Sequence, residues 1–134
     1  GDTQATLEVL REQGFDVEDV DIKDNSGLSE DNRLTAGLLT QLINGAVKDP
    51  HLRPLASYLP VAGGDGTLHE RYGDSAAKGY VRAKTGTLTG VSALAGTAQG
   101  NSGRVYAFAF LVNDGDILAA RKAQDALASA LHEF

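Results

Sequence analysis

Cysteine and methionine are both absent from this chain of 134 residues. The lack of cysteine excludes disulfide bonds, catalysis by a thiolate and metal sites built on thiolates, but it does not select a redox compartment. Methionine is missing even at position 1, so we expect the chain to be a piece of a longer protein.

Basic residues and long apolar runs are also scarce. Twelve Lys and Arg stand against eighteen Asp and Glu, for a net charge of −6. A partner held through its phosphates needs a basic surface, so nucleic acid is not an expected partner. No apolar run has the length that spans a bilayer. With 42% hydrophobic residues, residues 1–134 are expected to form one globular unit.

Helical spacing is clear in two places in the first half of the chain. It predicts a helix over residues 3–13, which Gly14 would end in a left-handed cap. Thr35 is positioned to cap a second helix, which would end before Pro50. Between them, imperfect alternation in "FDVEDVDI" suggests a short strand over residues 15–22, followed by a loop.

The second half of the chain has the pattern of a β-meander. Residues 51–79 contain repeated glycine and proline, which predicts a short helical turn and a long structured loop. Three strand-like runs with short, turn-forming connections follow, which predicts antiparallel pairing. These runs are "YVRAKTGT", "VSALAGTA" and "RVYAFAFLVN". Asp114 or Asp116 would then cap a last helix that covers the sheet.

Two of these strands have contrasting patterns. "RVYAFAFLV" is apolar on both faces, so we expect it to be the central strand. In the first strand Arg82 and Lys84 fall on one face and Val81 and Ala83 on the other, which predicts an edge strand beside a cleft.

The sequence Lys84-Thr85-Gly86 in that first strand has two interpretations. In the first, Lys84 is a charge that protects a sheet edge, Thr85 is an ordinary strand residue and Gly86 marks a bulge. In the second, Gly86 lets a bound peptide lie against the strand while Lys84 and Thr85 hold a carboxylate. A backbone N–H beyond the glycine would then face a developing oxyanion.

Other candidate motifs have weak support. The run "GYVRAKT" lacks the glycine that a phosphate-binding loop needs before its lysine. The three histidines are far apart, and "EDVDIKD" lacks the spacing of a calcium loop, so no metal or other cofactor is predicted. "DNSGLS" is interpreted as a tight turn in which Asp24 and Ser26 bind backbone, with a contact to substrate at the rim as the alternative.

Lys-Thr-Gly is also the third signature of the serine penicillin-recognising enzymes, after Ser-x-x-Lys and Ser-x-Asn. The chain resembles the C-terminal part of D-alanyl-D-alanine carboxypeptidases of the penicillin-binding protein 4 type. The resemblance extends over nearly the whole chain, in the family's order and at about its spacings. The matching stretches are "DNSGLSEDNRLT", "LPVAGGDGTL", "VRAKTGTLTGVSALAG" and the run into "FAFLVN".

The resemblance implies acyl transfer. An activated serine would attack the D-Ala-D-Ala bond of a peptidoglycan stem peptide, water would release the acyl-enzyme, and β-lactams would acylate the same serine. Lys84 and Thr85 would contact the substrate's terminal carboxylate, Gly86 would permit its close approach, and Thr87 would supply an oxyanion-hole N–H. Such a substrate implies a location outside the cytoplasmic membrane, in the periplasm or cell envelope.

The implied fold is α/β (α+β) and serine β-lactamase/transpeptidase-like, with N- and C-terminal helices on one face of an antiparallel sheet. This chain would be a partial domain, contributing three strands, the C-terminal helix and part of a helical region that borders the cleft. Ser75 and Lys78 spell Ser-x-x-Lys, but they lie just before the Lys84 strand, whereas the family's nucleophile lies far upstream. Ser-x-Asn does not occur. We therefore expect both signatures, and the nucleophilic serine, in a missing N-terminal part.

Three hypotheses follow from the sequence. The chain is part of a serine D-Ala-D-Ala carboxypeptidase or endopeptidase, a non-catalytic relative that binds peptidoglycan or β-lactams through a degenerate site, or a structural module without a ligand. An intact Lys84-Thr85-Gly86-Thr87 favours the enzyme.

Overall fold

A computed structural model of the chain describes residues 2–64, 66–72 and 75–134. Gly73, one of the glycines of the predicted loop over residues 51–79, lies outside the described residues. The helices are α1 (Thr3–Glu12), α2 (Ala36–Lys48), α3 (Arg53–Ser57) and α4 (Ile117–His132), and a short 3₁₀ turn spans Gly66–Leu68. The strands are β1 (Val81–Leu88), β2 (Val91–Gln99) and β3 (Val105–Asn113).

The predicted helix caps are confirmed. Gly14 follows α1 with φ +85°, a conformation that a glycine adopts without strain. Thr35 is the N-cap of α2, and its hydroxyl accepts a hydrogen bond of 3.0 Å from the N–H of Leu38. Asp116 caps α4, whereas Asp114 lies in the preceding turn with φ +57°.

The three strands form an antiparallel meander, as predicted. The strand order is β1-β2-β3, and the β1–β2 register runs without interruption from Val81↔Ala98 to Leu88↔Val91. A two-residue turn joins these strands, with Gly90 at φ +73°. The sheet is therefore built from local connections.

Helices cover both faces of the sheet. On one face α4 packs against β2, where Gln124 Nε2 donates a 3.1 Å hydrogen bond to the carbonyl oxygen of Ser92. A buried core lies on this face; it consists of Ala62, Leu68, Tyr72, Ala77, Val81, Ala83, Leu94, Ala98, Phe108 and Ala128. The opposite face meets α2, which lines a surface hollow together with Val105 and Ala107 of β3.

The prediction of a central β3 is wrong, because β2 is the middle strand and β3 is an edge of this sheet. β3 is apolar on both sides because α2 and α4 lie on its two faces. An apolar pattern on both faces of a strand reflects the elements packed above and below it, not the number of neighbouring strands within the sheet.

The strand predicted over residues 15–22 is also wrong. The segment is a turn in which Asp16 accepts a 2.9 Å hydrogen bond from the N–H of Glu18, and Asp19 has φ +60°. Its only ladder contact in the described chain is an isolated bridge between Asp21 and Arg33. Asp side chains bind nearby backbone and so compete with strand formation.

Residues 51–79 contain α3, the 3₁₀ turn and connecting turns, as the glycine and proline pattern predicts. The segment is attached to the start of β1. The N–H of Ala62 donates to Val81 O at 2.8 Å, and the N–H of Ala83 donates to Pro60 O at 3.0 Å. The long loop therefore forms one wall beside β1. No helix among the described residues is both long and apolar enough to cross a bilayer.

Candidate active site

The candidate site lies on the outer edge of β1. This edge is paired with residues 60–62 as far as Ala83. Beyond Ala83, no other described strand pairs with it. Because alternate residues of a strand point their N–H groups the same way, Thr85 and Thr87 present theirs outward, as Ala83 does. The predicted edge strand is confirmed, and its open part begins at Lys84. The cleft beside it stays a prediction.

Lys84 is exposed, and its ammonium is held at this edge. Nζ donates a 2.6 Å hydrogen bond to the carbonyl oxygen of Thr85. Arg82 lies on the same face of β1, and its guanidinium donates to Ser57 O at 3.0 Å. An acidic chain with net charge −6 thus presents two cations along one strand edge.

Gly86 is not a bulge, so that part of the first interpretation of Lys84-Thr85-Gly86 is wrong. It pairs in register with Ala93, and the residues on either side pair in register as well. A Cβ added at Gly86 would lie 3.5 Å from the Ala93 Cβ, an ordinary van der Waals contact. Nothing in the described chain therefore requires glycine at this position.

Two further side chains reach the site from other elements. The Thr85 hydroxyl donates a 3.1 Å hydrogen bond to the hydroxyl of Thr67, in the 3₁₀ turn. Arg121 of α4 donates to Thr87 Oγ1 at 3.3 Å. Thr67 and Arg121 were not identified from the sequence, because each lies far along the chain from its partner and neither belongs to a local motif.

Ser75 and Lys78 do not form a nucleophile pair in this chain. The Ser75 hydroxyl lies 3.0 Å from the Ser129 hydroxyl and accepts a 3.2 Å hydrogen bond from the N–H of Ala77. The aliphatic stem of Lys78 lies over Gly63, where an added Cβ would come within 2.6 Å of it. The described contacts of the Ser75 hydroxyl are thus with Ser129 and Ala77, and they include no hydrogen bond to the Lys78 amine.

The "DNSGLS" segment is a tight turn built around Asp24. The Asp24 carboxylate accepts hydrogen bonds from the N–H groups of Gly27 and Ser29, at 2.6 and 2.7 Å, and from the Ser26 hydroxyl at 2.9 Å. Partial burial by itself raises the pKa of this carboxyl, but these bonds and one from Asn32 outweigh it and lower the pKa from 3.8 to about 2. The tight turn and the backbone bonds of Asp24 are confirmed, but the Ser26 hydroxyl bonds to the Asp24 carboxylate and not to backbone. The rim contact stays a prediction.

The described residues contain no group of three or more His, Asp or Glu side chains suited to a metal ion. Each of two histidine rings is engaged with backbone. His69 Nδ1 lies 3.0 Å from Gly64 O, and His132 Nδ1 lies 2.5 Å from Gln99 O.

The fold of this chain is that of penicillin-binding proteins. It matches penicillin-binding protein 4 from Haemophilus influenzae with a TM-score of 0.85 and 28% identity, over 98% of this chain and 32% of that one. The same Haemophilus protein complexed with a novel β-lactam matches with a TM-score of 0.81 and 28% identity, over 94% of this chain and 32% of that one.

The sequence comparison identifies the family. The model of the D-Ala-D-Ala carboxypeptidase 3 (S13) family matches residues 1–134, and the chain belongs to this family. Carboxypeptidase DacB of Mycolicibacterium smegmatis is 48% identical over 98% of this chain and 30% of its own length. The chain thus spans about a third or less of each of these relatives. The predicted family and the predicted fold class are both confirmed.

Proposed function

We propose that the protein containing this chain is a serine-type D-Ala-D-Ala carboxypeptidase or endopeptidase that cleaves peptidoglycan stem peptides through an acyl-enzyme. The observation that carries the proposal is the open edge of β1, where Lys84, Thr85, Gly86 and Thr87 stand together and packing does not account for the glycine. Membership of the D-Ala-D-Ala carboxypeptidase family supports it.

Lys84 and Thr85 bind the terminal carboxylate of the substrate in this proposal. The Lys84 ammonium exchanges its hydrogen bond with the Thr85 carbonyl for a charge-assisted bond to the carboxylate. The Thr85 hydroxyl, on the adjacent residue, supplies a second donor. Arg82 adds positive charge on the same face of the strand.

Gly86 and Thr87 contact the part of the substrate that contains the peptide bond to be cleaved. The substrate backbone lies along the open edge of β1 as an added strand, and the missing side chain of Gly86 lets it come close. The outward N–H of Thr87 donates to the oxyanion that forms when the serine attacks the carbonyl carbon.

The nucleophile lies outside this chain. A serine activated by a lysine one turn later on a helix is required, and Ser75 makes other contacts. We place the serine in the N-terminal part of the protein, which is then the structural partner of this chain.

β-Lactams are proposed to acylate the same serine. A solved relative, penicillin-binding protein 4 of Haemophilus influenzae, is complexed with a β-lactam, which supports this proposal. Because stem peptides belong to the cell wall, the enzyme would act outside the cytoplasmic membrane.

Lys84 variants of the protein with its upstream sequence test this function. D-alanine release is measured from a stem pentapeptide ending in D-Ala-D-Ala and from the same peptide with a C-terminal amide. Lys84→Ala should lower kcat/KM for the free acid by roughly a hundredfold, because it removes one partner of a charge pair. The amide should already be a poor substrate of the wild type. Lys84→Ala should therefore lower kcat/KM for the amide only slightly further.

Lys122→Ala is the matched control, since Lys122 is an exposed lysine on α4 and does not belong to β1. It should leave kcat/KM unchanged. A wild-type protein that binds the peptide or penicillin reversibly, without releasing D-alanine or forming a covalent adduct, would support the non-catalytic alternative. Equal loss with both lysine variants would contradict the role of Lys84.

A further inference from the structure

Thr67 contacts the site without belonging to its strand. Its hydroxyl accepts the 3.1 Å hydrogen bond from the Thr85 hydroxyl, the group proposed to bind the substrate carboxylate. Thr67 is the middle residue of the 3₁₀ turn Gly66–Leu68, 18 residues before Thr85. The contact therefore joins two separate segments of the fold.

The position of Thr67 is fixed relative to β1. Its neighbour Leu68 is fully buried in the core, and the Leu68 carbonyl accepts a 2.9 Å hydrogen bond from the N–H of Gly63. The same segment is tied to β1 where Pro60 accepts from the N–H of Ala83. The two hydroxyls are thus carried by one packed unit, and their separation does not depend on a free loop.

The direction of this hydrogen bond conflicts with substrate binding. While the Thr85 hydroxyl donates to Thr67, its single proton is not available for a carboxylate. When a carboxylate arrives, Thr85 must turn its proton toward it, and its oxygen can then accept a hydrogen bond from Thr67. A threonine hydroxyl both donates and accepts, so Thr67 can reverse the bond and donate to Thr85.

We propose that Thr67 is a positioning residue for the substrate carboxylate: by accepting from Thr85 in the free enzyme and donating to it in the complex, it orients the Thr85 hydroxyl in both states. This inference rests on the proposed function. It gives a residue of the 3₁₀ turn, outside the Lys-Thr-Gly signature, a role in binding the substrate carboxylate.

Acylation of the protein with its upstream sequence by benzylpenicillin and by its methyl ester tests the inference. The first ligand presents a carboxylate and the second does not. In the wild type the acid should react faster than the ester. Thr67→Val keeps the shape of the side chain but removes the hydroxyl, and should lower the rate constant for the acid by about fivefold, the typical value of one neutral hydrogen bond. The ester should react at its former rate.

Two variants separate positioning from structure. Thr67→Ser retains a hydroxyl and should restore the preference for the acid. Thr40→Val removes a hydroxyl that bonds within α2, to Ala36 O, and should change neither rate. If Thr67→Val slowed both ligands equally, its role would be structural and the inference would be overturned.

The same measurements distinguish a failure of this inference from a failure of the proposed function. A wild-type protein that is not acylated, or that shows no preference for the acid, contradicts the proposed carboxylate site. A wild-type preference that persists unchanged in Thr67→Val contradicts the role of Thr67 alone.

Discussion

At the scale of single residues, two glycines in neighbouring strands have different reasons to be glycine. At Gly96 a Cβ would lie 1.9 Å from the carbonyl oxygen of Arg82 and 2.6 Å from the Ala83 Cα, both backbone atoms that cannot move aside. At Gly86 the nearest atom would be 3.5 Å away. Gly96 is therefore required for the pairing of β1 with β2. At Gly86 the described fold has room for an alanine side chain.

Alanine at each position should separate folding from activity. Gly86→Ala should leave the midpoint of thermal unfolding nearly unchanged and reduce acylation by penicillin, because the new methyl group occupies the space proposed for the ligand. Gly96→Ala should destabilise the protein by about 3 kcal/mol or more, as expected for forced overpacking. Unfolding by denaturant and labelling by fluorescent penicillin measure the two effects. A Gly86→Ala protein with full activity would show that ligand approach does not require glycine at this position.

At the scale of elements, the turn from Asp24 to Asn32 is organised by one carboxylate. Asp24 gathers backbone and side-chain donors that would otherwise face solvent, and these bonds require its ionised form. The pKa in the folded chain, about 2, lies below the ordinary value of 3.8. The carboxylate therefore stabilises the folded turn fully above pH 4, and the contribution is lost as the pH falls through 2.

Amide hydrogen exchange over residues 24–32 should follow this pH dependence. In the protein with its upstream sequence, protection of the Gly27 and Ser29 amides, relative to an unstructured peptide at the same pH, should be constant above pH 4 and fall toward pH 2. Asp24→Asn should weaken the protection of these amides already at neutral pH. In this variant the protection should change less as the pH is lowered. The neighbouring Asp31→Asn serves as the control. Identical profiles for Asp24→Asn and the wild type would contradict the role of the carboxylate.

Local chemistry explains which elements could be predicted from the sequence. Gly14, Thr35 and Asp116 act on their own helix ends, so their residue types alone mark the boundaries. The turn formers between the strands likewise predict the meander. The failed strand over residues 15–22 had only partial alternation, and its Asp side chains favoured turns.

The candidate site was predictable only where it lies within β1. Lys84 to Thr87 form a contiguous signature, and alternation along the strand assigns their faces. Thr67 and Arg121 lie 18 and 34 residues from the threonines that they contact, and the packing of the loop and of α4 brings them there. The central position of β2 depended equally on contacts between segments, which residue patterns within one strand do not encode.

At the scale of the whole molecule, this chain leaves unusual apolar area uncovered. Leu28, Tyr58 and Leu118 are each more than 70% exposed, and β3 is an edge of the sheet although both of its faces are apolar. The open edge of β3 offers unpaired backbone groups on which another strand could pair. Because the chain spans 30% of its Mycolicibacterium relative, we expect the rest of the protein to cover this area.

The isolated chain should therefore be inactive, and its activity should return on reassembly. Residues 1–134 alone should not be labelled by fluorescent penicillin. Co-expression with the upstream part of the protein as a separate polypeptide should restore labelling, with the label on the upstream polypeptide, where the serine is proposed to lie. Ser75→Ala should change nothing. Labelling of the 134-residue chain by itself, abolished by Ser75→Ala, would show that the nucleophile had been misplaced.

The hydrogen bond between Lys84 Nζ and the Thr85 carbonyl has a consequence for affinity. A lysine side chain that moves freely in water gives up rotamer entropy worth up to about 2 kcal/mol when a ligand fixes it. In this chain the strand's own carbonyl already restrains the amine before any ligand arrives. Part of that entropic cost is then met when the protein folds, and the carboxylate proposed to bind there would exchange one oxygen acceptor for another.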